Sequence, residues 1–124
     1  MASVANSLIV IVLFSLISQG LCVICTNNDI KIVTTGSGRV VQGKPEWNVV
    51  VTNSCKCPQA KIKVNIKAFQ SVEPVNSSIL SQLDVITYML INGDTLAPGA
   101  SVKFSYAWDF AFRIFPADSL SIPC

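Results

Sequence analysis

The chain has 124 residues, with nine basic and seven acidic side chains and a formal charge of +2. That length suits one domain around a single core, and so mild a charge excludes a nucleic-acid binder, which needs clustered Lys or Arg to neutralise phosphates. The absence of any histidine removes the usual base of Ser and Cys nucleophile systems and the commonest zinc ligand.

The first element reads as a secretory signal peptide over residues 1–22. Leu8 to Ile17 is a nearly unbroken apolar run, followed by small and polar residues. A membrane-spanning helix needs about 20 apolar residues, and Ser18-Gln19-Gly20 interrupts this run too soon. Cleavage after Gly20 would leave all five cysteines, whereas cleavage after Cys22 leaves Cys25, Cys55, Cys57 and Cys124. An even number suits an oxidising compartment, so the later cut is expected. Residues 23–124 then form one secreted domain with no membrane attachment.

The mature chain alternates. In "DIKIVT" at 29–34, Ile30, Ile32 and Thr34 share one side until "GSG" at 36–38 breaks the run. In "EWNVVVTN" at 46–53, Trp47, Val49 and Val51 oppose Asn48, Val50 and Thr52. In "KIKVNIKAF" at 61–69, Ile62, Val64 and Ile66 oppose Lys61, Lys63, Asn65 and Lys67. Period-two patterns rich in β-branched residues mark half-buried antiparallel strands. A helical turn fits Ile79 to Leu83, and strands resume at 85–91, "VITYMLI", and 102–108, "VKFSYAW". Phe110, Phe112 and Ile114 follow, then a turn at Pro116 to Ser119, then Leu120 and Ile122 before Cys124. Turn signals at 43–45, 55–58, 73–78, 92–94 and 97–99 separate the runs. The spacing points to a β-sandwich or barrel; an all-β, single-domain antiparallel β-sandwich is expected.

Little in the chain suggests catalysis. The seven acids are scattered singly, without an Asp-x-Asp metal site, and general acid–base work needs positioned partners. No enzyme activity, cofactor or metal is expected. Lys61, Lys63 and Lys67 form a stripe on one strand face that could dock an acidic partner surface. Lysines at this density are also what any half-exposed or edge strand needs to stay soluble. Trp47 and Trp108 could stack on sugars, but each is in phase with buried-type neighbours, which favours the core. Asn76-Ser77-Ser78 meets the acceptor rule for N-glycosylation in a turn-like stretch. Cys55 and Cys57 are too close in sequence to bridge each other, because an extended C-x-C leaves its side chains parallel.

Several segments carry a resemblance together: Cys25 ahead of "NDIKI", "GKPEWNVVVTNSC" at 43–55, the Asn-Gly turn after "YMLI" with Leu96 and Gly99 beyond, "FSYAWDFAF" at 104–112, and Cys124 at the end. In order and spacing they resemble the tapetum determinant family of small secreted plant proteins. Members usually have six mature cysteines, of which the fourth would fall near Ile66 and the fifth near Met89. The expectation is that one disulfide is replaced as a unit by packing of Ile66 against Met89, leaving two bridges. If 29–34 pairs with 46–53 in a hairpin turning near residue 40, Cys25 comes towards Cys55 and Cys57 is left for Cys124. A loop of the first size would stabilise by roughly 3–4 kcal/mol. The swapped pairing, Cys25 with Cys57 and Cys55 with Cys124, satisfies the same count, because sequence does not fix connectivity.

The resemblance implies an extracellular signal in the apoplast that is perceived by the ectodomain of a leucine-rich-repeat receptor kinase and influences cell fate in reproductive tissue. A different class of function, a cell-wall polysaccharide-binding module, would need an exposed Trp. A third, inhibition of a secreted enzyme, would need a protruding loop, for which 70–84 is the stretch long enough.

Overall fold

The hairpin that begins the domain turns on two residues. Gln42 and Gly43 both have positive φ, 49° and 80°, the mirror-image turn whose twist matches that of the strands it joins. It connects β1 (Ile30–Val41) to β2 (Lys44–Asn53). The computed structural model describes residues 24–124, so the expected signal peptide and Cys22 lie outside the described residues. After the hairpin come β3 (Gln59–Ile66), β4 (Leu80–Gln82), β5 (Thr87–Leu90), β6 (Ser101–Ala107) and β7 (Ile114–Ser121). Two single 3-10 turns, Asn27–Asp29 and Ile91–Gly93, complete the chain.

The strands form two antiparallel sheets, β1-β2-β6 and β4-β5-β3-β7. Cross-strand register follows the alternation in the sequence: Val49 faces Phe104, and Val51 faces Val102. These side chains meet Ile62, Val64, Ile66, Tyr88 and Leu90 from the other sheet, all buried. Each such burial is worth roughly 1.5–3 kcal/mol, so the facing layers supply most of what holds the sheets together. The expected β-sandwich is the fold observed.

The structure departs from the sequence reading in several places. "GSG" does not end the first strand; the register shifts between Gly36 and Val40 and β1 runs on to Val41, because a bulge absorbs the glycines without ending the ladder. The stretch expected as a helical turn, 79–83, contains β4, whose Leu80 pairs with Leu90. The expected turn at Pro116 to Ser119 is part of β7. β7 is the outermost strand of its sheet, where a residue without an N–H is tolerated.

Ile66 and Met89 do not replace a disulfide. Met89 stands opposite Lys63 on the half-exposed face of β5, while Ile66 is fully buried. Ile66 lies an odd number of residues from Lys63, so alternation sends it to the opposite face of the sheet. The two apolar residues are therefore accommodated separately, one in the core and one outside it.

Candidate functional site

The ends of the sandwich are built differently. At one end the Cys25–Cys55 disulfide joins the residues flanking the open end of the hairpin, with Cα atoms 5.9 Å apart. Cys57–Cys124, at 5.5 Å, ties the β2–β3 link to the chain's last residue. Between them lies a buried polar network. Asn53 Nδ2 donates to the carbonyls of Cys57 and Leu96, both at 3.0 Å, and Gln59 Nε2 donates to Asn53 Oδ1 at 3.0 Å. The Ser119 hydroxyl donates to Gln59 Oε1. With its donors and acceptors engaged, this polar core avoids the cost of unpaired buried groups. Asp29 approaches the Cys25 and Cys55 sulfurs in a grouping that could suggest a metal site. The sulfurs are bonded to each other and Asp29 Oδ2 accepts the Thr26 N–H at 3.0 Å, so no thiolate is left to ligate.

The opposite end carries the exposed apolar surface. Phe110, Phe112 and Ile114 read as an alternating strand, but 108–113 is irregular, held to β6 where the Phe112 N–H donates to the Tyr106 hydroxyl oxygen at 2.8 Å. That bond turns Phe112 inward. Its ring meets Phe69 edge-on at 5.4 Å, and Phe69 in turn abuts Tyr88 and Tyr106. Edge-to-face contacts of this kind contribute roughly 0.5–1.5 kcal/mol each beyond the area they bury. Burial raises the Tyr106 hydroxyl above its ordinary pKa, against the lowering effect of its bond to Phe112.

Phe110 is turned outward by the same geometry. With Phe112, Phe115 of β7 and Ile86 ahead of β5, it lines a groove of about 690 Å³ that also takes in Lys67 and Arg113. Phe110 and Phe115 are each 56% exposed, Ile86 41%, and the adjoining Val85 82%. Gathered apolar exposure of this kind commonly marks an interaction site. Neither Lys67 nor Arg113 enters an ion pair among the described residues, where the two pairs are Arg39–Glu46 and Lys44–Asp109.

The lysine stripe is divided by this arrangement. Lys61 and Lys63 project from the side of β3 opposite the core and Lys67 follows in the turn just beyond its end, but β3 is an interior strand flanked by β5 and β7, so edge protection is not their role. Lys61 sits at an irregularity with φ of +48°. Lys63 is half-buried opposite Met89 and Asp118. Of the three, Lys67 lines the groove.

Asn76 lies in an exposed turn, where its Oδ1 accepts from both the N–H and the hydroxyl of Ser78. Trp47 and Trp108 are half-buried against the core; the Trp47 indole N–H donates to the Trp108 carbonyl at 3.2 Å, and Lys44 Nζ stands 5.2 Å from the Trp108 ring. The 70–84 stretch is no free protruding loop. Val72 is bonded to Ala107, and Leu80–Gln82 forms β4.

One feature of this end was invisible as sequence. Glu46 of β2 is buried, and Glu73, in the segment between β3 and β4, lies near enough for each acid to perturb the other's titration. The bond to Ser37, then the one to Glu73, hold Glu46 below the ordinary carboxyl range; burial, then the bond to and charge of Glu46, push Glu73 above it. Arg39 Nε lies 3.9 Å from Glu46 Oε1, and Glu73 Oε2 is buried with no hydrogen-bond partner among the described residues.

Comparison with known proteins adds a family relation. Residues 26–123 match the family described as Tapetum determinant 1, C-terminal. The chain is also similar to TPD1 protein homolog 1 of Arabidopsis thaliana, 31% identical over 102 residues that make up 81% of this chain and 55% of the relative. It thus spans about half the length of the curated relative it matches. No solved structure matches it.

Proposed function

The chain belongs to the tapetum determinant family, and from that membership we propose that it is a secreted, non-enzymatic signalling ligand of plant reproductive development, binding a leucine-rich-repeat receptor kinase ectodomain in the apoplast. The observation that carries the docking reading is the groove, in which Phe110, Phe115 and Ile86 are exposed beside Lys67 and Arg113. Partially exposed aromatics flanked by cations are the composition of protein-recognition surfaces, where a few aromatic and Arg anchors dominate affinity. Two disulfides and a saturated polar core hold the opposite end fixed, which lowers the ordering cost of association. Catalysis has little support in the same geometry: Glu46 is buried, and Glu73 Oε2 is buried with no hydrogen-bond partner among the described residues.

The test is binding of the secreted protein to a panel of leucine-rich-repeat ectodomains beside insoluble wall polysaccharide. A saturable complex with an ectodomain, weakened at least tenfold by Phe110→Ser, is the expected result. Retention on polysaccharide without an ectodomain partner would replace this reading with a wall-binding one. Against that alternative, both tryptophans are half-buried against the core, and Lys44 Nζ stands over the Trp108 ring.

A further inference from the structure

Two stretches of the chain have the spacing of an N-glycosylation acceptor: Asn76-Ser77-Ser78 and, in the weaker form with cysteine in the third place, Asn53-Ser54-Cys55. The fold separates them. Asn53 is fully buried; its Nδ2 donates to the Cys57 and Leu96 carbonyls, its Oδ1 accepts from Gln59 Nε2 and the Cys55 N–H, and Cys55 is held in a disulfide. A sugar on that nitrogen would have to displace the polar core. Asn76 is the reverse. Val75 and Ile79 pack against the core on either side, and the three residues between them are exposed. The Asn76 carbonyl accepts the Ile79 and Leu80 N–H groups at 2.9 and 3.0 Å, which closes the turn into β4. Its side-chain Oδ1 accepts the Ser78 N–H at 2.9 Å and the Ser78 hydroxyl at 2.8 Å. A backbone N–H can only donate, so the amide is oriented with its oxygen on Ser78, and Nδ2 bonds to no group among the described residues.

We propose that Asn76 carries an N-linked oligosaccharide and that Asn53 does not. In the transfer, Asn76 Nδ2 bonds to the anomeric carbon of a sugar carried on a lipid diphosphate. The bond from that carbon to the diphosphate oxygen breaks, the lipid diphosphate leaves, and the amide nitrogen gives up one proton to a base of the transferring enzyme. The product is still an amide with its carbonyl oxygen in place, so both bonds from Ser78 survive and the turn needs no rearrangement. The site rests on the secreted reading, because the sugar donor is met only by chains that enter the secretory route. The Ile91 N–H donates to the Ile79 carbonyl at 2.8 Å and Leu80 stands opposite Leu90, so the Asn76 turn joins the sheet at the end of β5. Ile86, which lines the groove, precedes the beginning of that strand. The sugar is therefore rooted at the far end of β5 from Ile86 and beside β4, the outermost strand of its sheet, where its hydrated bulk hinders the addition of another strand.

The full chain, made in plant cells with its own leader, tests the site when medium and cell fractions are treated with an amidase that releases Asn-linked glycans. Wild type is expected to drop by a single mobility step, and peptide mapping should find the released position at Asn76 and an unmodified Asn53. Asn76→Asp keeps an oxygen to accept from Ser78 but has no amide nitrogen, so it should run at the lower position before treatment. Ser78→Ala should do the same, and serves as the second variant should the first fail to fold, while Ser78→Thr should keep the step. An unshifted wild-type chain in either fraction, or a step that survives Asn76→Asp, would overturn the site. A glycosylated chain confined to the cells would strike the secreted reading and leave the site standing; an unshifted chain in the medium would do the opposite.

Discussion

Where β1 begins and β2 stops, the sandwich is closed by two disulfides and an interlocked Asn53–Gln59–Ser119 network. Where β2 begins and β3 stops, it is closed by edge-on aromatic rings and one tyrosine hydroxyl. The first end is closed covalently, and reduction opens it. The second is held by contacts of about a kilocalorie each, and it also exposes the apolar groove. The difference teaches where response can arise in so small a domain: local opening has low cost only where closure is not covalent.

Breaking the covalent end should have the largest effect. Removing Cys57 and Cys124 together by Ala substitution releases a link across 67 residues, for which chain entropy gives about 4 kcal/mol. Removing Cys25 and Cys55, separated by 30 residues, should cost about 3.5 kcal/mol. Thermal melts of the two double variants should rank in that order, and the reverse order would mean that native-state geometry outweighs loop length.

Tyr106→Phe attacks the other end from within. It strips the acceptor from the buried Phe112 N–H, and an orphaned buried donor costs about 1–3 kcal/mol. The melt should fall by less than for either disulfide, and exchange at Phe112 should rise selectively; an unchanged Phe112 amide would show that the 108–113 segment is held by ring packing alone.

Phe110→Ala separates surface from scaffold. The side chain is largely exposed, so stability should change by less than about 0.5 kcal/mol, while ectodomain affinity should fall by about 2 kcal/mol if the ring is an anchor. Calorimetry of the free protein beside titration of the complex reads both numbers, and a stability loss larger than the binding loss would place Phe110 in the scaffold.

The lysines give the smallest effect and the finest distinction. Lys67→Gln should slow association at low ionic strength, with the loss shrinking as salt rises, whereas Lys61→Gln should not. Association rates at two salt concentrations decide between them. Equal slowing would return the stripe to a diffuse charge effect.

Much of the sandwich was legible because its strands obey a local rule: Val49, Val51 and Phe104 sit inside for the same reason that Asn48 and Lys103 sit outside. What stayed hidden depends on neighbours. Pro116 reads as a turn until β7 is known to be outermost, and the Gly36–Val40 bulge has no meaning without the strand it bulges against. Ile66 and Met89 read in the sequence as a packed pair, and only the register of β5 on β3 separates them. At the candidate site the pattern misled directly. Phe110 and Phe112 alternate like strand residues, yet one bond to Tyr106 sets them in a loop. Glu46 looks like one of seven solitary acids until the hairpin buries it beside Arg39.

The bulge in β1 also bears on how copies of the protein meet one another. Each sheet ends in two open edges, and a regular edge is a template for adding a strand from another chain. All four edges here are spoiled: β1 by its register shift, β4 by having three residues, β6 by the outward Lys103, and β7 by Pro116 and its irregular pairing. At high concentration the protein should thus resist zipping into ribbons, and such edges favour complexes made through loops and faces over the lending of a strand.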